Sequence, residues 1–400
     1  MKILWLNTRL MYPLDAGGKI RTYNILKHLR NRADVDVISL AFDPREEDLD
    51  ALRAVCRNFI PIPATDRPRR SPGFIFSAMG NLFGRLPLSL SLYRNKAQRN
   101  AIREQVRNYD YDLIISDFLT PMVNLPEPWP RPLAIFQHNV EAVIWERLAA
   151  RQPDPIRRAY FTAQAGRMQR FEARSCRAAD GIICVSRLDA ETFRHRYGVS
   201  KTPAIDTGVD VAAYRPGPNA ESERPTVVFT GTMDWMANRD GVRWFLDSVW
   251  PRVIEAVPEA LFQVVGKNPP SDLLKRDRTD RHLEVTGWVD DIRPYLHGAW
   301  VVIVPLRVGG GTRLKIMEAL AAEKAVVSTA IGAEGLGLTH GKDVVIADRA
   351  PPFAEHCTKM LTDANQRNAL GAAGRALVDN HYDWPIIADQ FLRACNTLIP

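Results

Sequence analysis

Cysteine is scarce: there are five in 400 residues, Cys56, Cys176, Cys184, Cys357 and Cys395, and no two form a Cys-x-x-C pair. None has a histidine at metal-ligand spacing. A disulfide framework and a structural zinc site are therefore excluded, and buried thiols in a reducing compartment are expected. Long apolar runs are also missing. The weakly polar stretch 73–92 is broken by Arg85, Pro87 and three glycines, so it should not span a bilayer, though it can lie on one. The opening MKILWLNTRL has too short an apolar run for a secretory signal and leads into charge rather than a cleavage site, so a cytoplasmic protein is expected. There is no internal repeat, no low-complexity tract and no Gly-Lys-Ser/Thr after any glycine run, which excludes a solenoid and a Walker-type phosphate loop.

What is present is ordinary soluble composition, 46% hydrophobic, in a chain long enough for two cores of about 150–200 residues. The net charge is +7, and it is unevenly spread. Between Arg67 and Arg107 nine basic residues face Glu104 alone, and 147–177 is again dense in arginine, with Ile156, Tyr160, Ala163, Met168 and Phe171 available for packing. Such a field attracts phosphates, anionic lipid or nucleic acid without choosing among them.

Short apolar strands alternate with helical periods along the whole chain, the pattern of a parallel sheet covered on both faces. Strands are predicted at 2–7, 36–40, 59–62, 113–116, 133–137 and 181–185. After a Pro-rich, polar linker around 204–224 the same grammar restarts at 226–230, 261–265, 283–286, 301–304, 325–328 and 343–346. Domains are accordingly expected at 1–205 and 206–380, with a last helix, 381–400, beginning near Trp384-Pro385.

The stretch 301–336 carries the densest chemistry. An apolar strand ends at Pro305, and Gly309, Gly310 and Gly311 lead through Thr312 into a helix whose first turn holds Arg313 and Lys315. Strand, glycine loop and helix leave unpaired N–H groups and a positive dipole end, which suit a phosphate. Cations there are unfavourable by about 0.3–1 kcal/mol each, a conflict that a bound anion removes. Glu318 follows Lys315 at i+3. The bland alternative is a tight turn with a solvated ion pair. A second unit of this kind opens the chain, where Gly17 and Gly18 precede a helix over 19–30 with Lys19 and Arg21 in its first turn. Ligands in such sheets sit beyond the strand ends, which draws attention to Asn7, Asp117, His138, Asn139 and Ser186. His138 can donate to a hydroxyl or shuttle a proton, or be a histidine satisfied by backbone; for Glu141 the alternatives are to orient it or simply to start a helix. Gly231, Gly266 and Gly287 each end a strand of the second half and permit close approach of a ligand to the backbone.

TGTMDWMANRDGVRWF (230–245), GWVDDIRPYL (287–296) and PLRVGGGTRLKIMEALAAEKAVVSTAIGAEGL (305–336) resemble a branch of the retaining glycosyltransferase family 4, and YPLDAGGKIRTYNILKHL (12–29) and FQHNVE (136–141) resemble its N-terminal half. The resemblance implies a GT-B fold: two Rossmann-like domains facing across a cleft, with a nucleoside-diphosphate sugar in the C-terminal one, the acceptor mostly in the N-terminal one and the last helix packing back on the first domain. It implies that Glu318 bonds the donor ribose, that residues 310–315 line the diphosphate, that His138 lies beside the transferred sugar and that Gly17 and Gly18 close on the donor. Two departures matter. The position eight before Glu318, often a glutamate in the family, is Gly310. The loop after the first strand of the second half has Arg239 as its one basic residue, so Arg313 and Lys315 are expected to have taken over diphosphate neutralisation without a metal.

The function expected is hexosyl-type transfer to a hydroxyl acceptor, lipid-linked or polysaccharide. No cofactor is expected. The basic first half suggests an anionic membrane surface at the inner face of the cell membrane as a partner, and no nucleic acid. The alternatives are a GT-B-shaped nucleotide-sugar epimerase, or a non-enzymatic basic protein binding lipid or nucleic acid.

Overall fold

The computed structural model describes residues 1–65, 81, 84–150, 152–215, 217, 221–308 and 314–399. It divides into two compact units, 1–206 with 387–400, and 207–386. Each is built on a six-stranded parallel sheet. In the first, β1 (Lys2–Asn7), β2 (Asp34–Phe42), β3 (Asn58–Ala64), β4 (Leu113–Asp117), β5 (Leu133–Gln137) and β6 (Gly181–Cys184) take the order β3-β2-β1-β4-β5-β6. In the second, β7 (Thr226–Thr230), β8 (Leu261–Val265), β9 (Leu283–Gly287), β10 (Val301–Val304), β11 (Ala325–Ser328) and β12 (Val345–Ile346) take the order β12-β11-β10-β7-β8-β9. Both orders are the Rossmann one, with the reversal between β1 and β4 and between β7 and β10. Crevices that bind ligands open at such points.

The central strands are buried on both faces, which is why they read as unbroken apolar runs: Ile3 to Leu6, Leu133 to Phe136 and Val301 to Val304 are all at most 1% exposed. Local signals fix the helices. Asp154 caps the long helix Pro155–Ala178 by accepting from the Arg157 N–H at 2.7 Å, with Pro155 in the first turn. Ser186 caps Arg187–Tyr197, which stops at Gly198 in the left-handed region. In the last helix, Trp384–Leu398, Phe391 lies 5.3 Å from Trp5 and 5.1 Å from Phe136, inside the first unit.

Two expectations are corrected. The first part of the expected linker, 204–211, is not loose, because Ile205, Thr207, Val209 and Val211 are buried. Ile205 donates to the Cys184 carbonyl and Val209 to that of Tyr382, so the segment is held by backbone pairing on either side of the unit boundary. Ile156 does not pack; it is 80% exposed, and the long helix buries Gln164, Ala165, Met168, Glu172, Ser175 and Cys176 instead. All five cysteines are buried and free. Among the described residues no helix is long and apolar enough to cross a membrane.

Candidate functional site

At the β1/β4 reversal the register sets Leu6 opposite Ser116, so Asn7 and Asp117 stand side by side at the strand ends. Asp117 is fully buried and saturated with donors. Its Oδ2 accepts from Trp5 Nε1 at 3.2 Å, Asn7 Nδ2 at 2.7 Å and Thr22 Oγ1 at 2.8 Å, and its Oδ1 accepts from His138 Nε2 at 2.8 Å. The other ring nitrogen, His138 Nδ1, lies 2.7 Å from Arg21 Nη1. A guanidinium donates and cannot accept, so Nδ1 is the acceptor, and the imidazole is neutral with its proton on Nε2. Burial and the Arg21 charge lower the His138 pKa while Asp117 opposes them, and burial lowers the Arg21 pKa to about 10. Phe118 stacks on the imidazole at 3.8 Å, with a backbone φ of +69°. Above this stack lies Gly18, where a Cβ would come 2.6 Å from Phe118 Cζ and 3.6 Å from His138 Nδ1. Only a residue without a side chain lets the helix Gly17–Leu29 approach this closely.

Both His138 nitrogens are thus engaged, which limits its use as a proton shuttle. Nδ1 becomes available only when Arg21 moves. Glu141 does not orient the ring; it begins the helix Glu141–Ala150, its N–H bonds Glu172 Oε1 at 2.9 Å, and burial beside Glu172 raises its carboxyl pKa to about 7. Ser186 is a helix cap. Gln137, the last residue of β5, is wholly buried, and neither of its amide atoms has a hydrogen-bond partner among the described residues.

In the second unit, β7 and β8 end in Gly231 (φ +148°) and Gly266 (φ +156°). The backbones there nearly touch: a Cβ on Gly266 would lie 2.1 Å from the Gly231 carbonyl oxygen. A Cβ on Gly231 would lie 2.6 Å from Lys315 Nζ. The Lys315 ammonium, from the helix Leu314–Ala321, sits 4.1 Å from the centroid of the Phe229 ring and 3.1 Å from Asn238 Oδ1. Asn238 is itself fixed by donating to the Thr232 carbonyl at 2.7 Å. One turn along the same helix, Glu318 Oε1 accepts from Tyr214 Oη at 3.0 Å; burial raises the carboxyl pKa, and the Tyr214 bond and Lys315 lower it. A cation, a carboxylate and two bare glycines therefore converge at the β7/β10 reversal, where they can receive an anion and a hydroxylated ring.

Of the residues singled out in the sequence, Lys315, Glu318, Gly231 and Gly266 meet here, and Gly18 and His138 meet in the first unit beside Gly17, which opens the helix. Arg239 is engaged elsewhere, donating to the Asp234 carbonyl at 2.9 Å and lining a hollow of about 570 Å³ with Asp240, Arg243 and Trp244. Gly309, Gly310, Gly311, Thr312 and Arg313 lie outside the described residues. Sequence reasoning placed Arg21 in the first turn after Gly17 and Gly18 but not against His138, and it missed Asn238 and Tyr214 as site residues. Asn238 lay inside a quoted motif, whereas Tyr214 sits in the presumed linker and gave no signal. Three Asp-x-Asp triplets exist, at 34–36, 48–50 and 110–112, and each has a partnered member: Asp36 with Arg57 and Tyr111, Asp48 with Arg45, and Asp112 with the Lys2 N–H. Among the described residues no group of three His, Cys, Asp or Glu is placed to hold a metal.

Comparison with known proteins bears on this geometry. The family described as Glycosyltransferase Family 4 matches residues 16–213, and that described as Glycosyl transferases group 1 matches 224–363. An uncharacterised 44.6 kDa protein of the cps region of Klebsiella pneumoniae is 23% identical over 393 residues, 96% of each chain. The GDP-mannose-dependent alpha-(1-6)-phosphatidylinositol monomannoside mannosyltransferase of Mycobacterium tuberculosis is 27% identical over 248 residues, 54% of this chain and 63% of that one. Among solved structures, sucrose-phosphate synthase of Thermosynechococcus elongatus has a TM-score of 0.69 at 18% identity, covering 100% of this chain and 99% of the other. Anabaena HepE in complex with UDP has a TM-score of 0.67 at 16% identity, covering 99% and 100%. The fold they share with this chain is GT-B. From 16 to 213 and from 224 to 363, then, the chain consists of glycosyltransferase domains, of family 4 and of group 1 respectively.

Proposed function

We propose that this glycosyltransferase moves a hexosyl group from a nucleoside-diphosphate sugar to a hydroxyl of a lipid-linked or polysaccharide acceptor, with retention of anomeric configuration and without a metal. The observation that carries the donor half is the Lys315 ammonium held by Asn238 and Phe229 against the side-chain-free face of Gly231. A diphosphate there meets a fixed positive charge, and Glu318 one turn away offers a carboxylate to a ribose hydroxyl. As charge develops on the leaving diphosphate, Lys315, with Arg313 and the amides of 309–311 as the sequence suggests, stabilises it. Preorganised donors of this kind are worth about 10²–10³ in rate each.

His138, held neutral between Asp117 and Arg21, can serve a sugar hydroxyl through Nδ1 once Arg21 shifts. Retention comes from the family resemblance. The Mycobacterium relative is named for a phosphatidylinositol monomannoside acceptor; together with the basic first unit this supports a lipid-borne acceptor at the inner face of the membrane.

The test is isothermal titration of the purified chain with UDP, GDP, ADP and TDP and with their glucose or mannose esters, in EDTA. At least one nucleotide should bind, and NMR of the product should show a retained anomeric configuration. Binding of none sinks the donor assignment. Turnover of a nucleotide-sugar with no acceptor present would replace transfer by epimerisation.

A further inference from the structure

We propose a second binding site, for an amphiphilic phosphate ester, in a pocket of the first unit. The pocket has a volume of about 580 Å³, within the range of ligand cavities. Arg85, Arg94, Arg99 and Arg174 stand around it. Its one acidic lining residue, Glu127, is taken by Arg174, whose Nη2 lies 2.9 Å from Glu127 Oε1 and whose guanidinium also covers the Trp129 ring at 5.3 Å. Among the described residues Arg85, Arg94 and Arg99 have no carboxylate partner; Arg99 donates to the Val123 carbonyl at 3.0 Å, which fixes its guanidinium at the wall. Three guanidinium groups line a pocket whose one carboxylate is already paired, so their field favours an anion.

Besides Gly84, and Asn81 and Ser91, whose side chains donate to the Leu86 and Leu88 carbonyls, the rest of the lining is apolar. Leu86, Met122, Val123, Leu125 and Phe171 form it, and Met122, Val123 and Leu125 are also part of the core beneath. A pocket for inorganic phosphate would need no such surface, and a pocket for a neutral lipid would not collect arginines. Guanidinium groups beside hydrocarbon and an indole match one chemistry: a phosphate or diphosphate carried on an apolar chain. The segment that forms one wall, Gly84 to Arg94, belongs to the basic stretch that the donor site leaves unused.

The probes are farnesyl diphosphate and inorganic pyrophosphate, titrated calorimetrically into the full chain with excess nucleoside diphosphate present to occupy the donor site. Farnesyl diphosphate should bind, and pyrophosphate should bind at least 10-fold more weakly. Equal affinity for the two would show a bare phosphate site and overturn the amphiphile; no binding of either would overturn the pocket. Arg85→Glu with Arg94→Glu, both exposed side chains, should weaken farnesyl diphosphate at least 10-fold, whereas Arg103→Glu, an exposed arginine of the helix Lys96–Asn108 outside the pocket, should not. Equal loss in both variants would reduce the effect to general charge. Nucleotide binding, measured on the same samples, should be unchanged in all of them, so failure here leaves the donor reading standing.

Discussion

Replacing Lys315 by methionine separates the structural and functional uses of one charge. In the folded protein the ammonium gains a cation–π contact with Phe229 and a hydrogen bond to Asn238. These are worth about 0.5–2 kcal/mol and about 1 kcal/mol respectively, and desolvation of the charge offsets much of both. Methionine keeps the stem against the ring. The variant should therefore lie within roughly 1 kcal/mol of the parent, a Tm change of a few degrees. Nucleotide binding should respond differently. A charge-assisted bond to a phosphate oxygen is worth about 1.5–3 kcal/mol, so the Kd for the preferred nucleoside diphosphate should rise about 10- to 150-fold, and kcat should fall by about 10²–10³ if the charge acts on the leaving group. Titration calorimetry gives the first quantity and single-turnover kinetics the second. A folded Lys315→Met protein with unchanged Kd would refute the assignment. Gly231→Ala tests the same place from the opposite side: at φ +148° its new Cβ would stand 2.6 Å from Nζ, so it should displace the ammonium and reduce affinity with the charge still present.

Glu318→Gln preserves an acceptor for Tyr214 and should weaken nucleotide binding less than Glu318→Ala, whose loss should be about 10-fold or more; equal effects would show that the residue does not touch the ribose. Gly18→Ala forces a Cβ to within 2.6 Å of Phe118 and should lower stability by about 1–3 kcal/mol in a denaturant titration while disturbing the His138 stack; a neutral result would show that the helix yields freely. Gln137→Met removes two unpartnered buried polar atoms at nearly constant volume and should raise the Tm of the ligand-free protein by several degrees; a fall would mean that the amide has a partner in solution. Glu141 should leave a mark on the pH profile. Its folded pKa of about 7 lies above its ordinary 4.5, so the unfolded chain ionises first and this residue makes stability fall as pH rises from about 4.5 to 7, by at most about 3 kcal/mol. Glu141→Gln should therefore be the more stable protein above pH 7 and equal to the parent below about pH 4.5; a constant difference at all pH values would rule out the linkage.

How much of this was legible follows from the range of each interaction. The strands at 2–7, 133–137, 226–230 and 301–304 were readable to the residue because a parallel strand buried on both faces must be apolar throughout, a property of four to six neighbouring positions. That Lys315 and Glu318 sit one turn apart on one helix was readable because helical spacing is local. Tyr214, 104 positions from Glu318, was not. Ile156 misled because an apolar residue at helical spacing satisfies the pattern whether or not anything lies opposite. The segment 204–224 misled because proline and polar residues suggest freedom, while Val209 and Val211 are buried in the second core.

Arg21 and Lys315 show what periodicity cannot distinguish. Each follows a glycine run into the first turn of a helix, and on the sequence each is the same unfavourable charge at a dipole. The fold gives them different surroundings. Arg21 is sealed in at 4% exposure, and its charge is answered through His138 by Asp117, a carboxylate saturated with donors from three elements. That is a closed circuit, whose work is to fix the tautomer of a histidine. Lys315 faces the side-chain-free Gly231 and rests on an amide and an aromatic ring, with Glu318 one turn along its own helix. In the proposed reading the incoming anion is met by the second cation. The first can matter to a substrate only by letting go of His138.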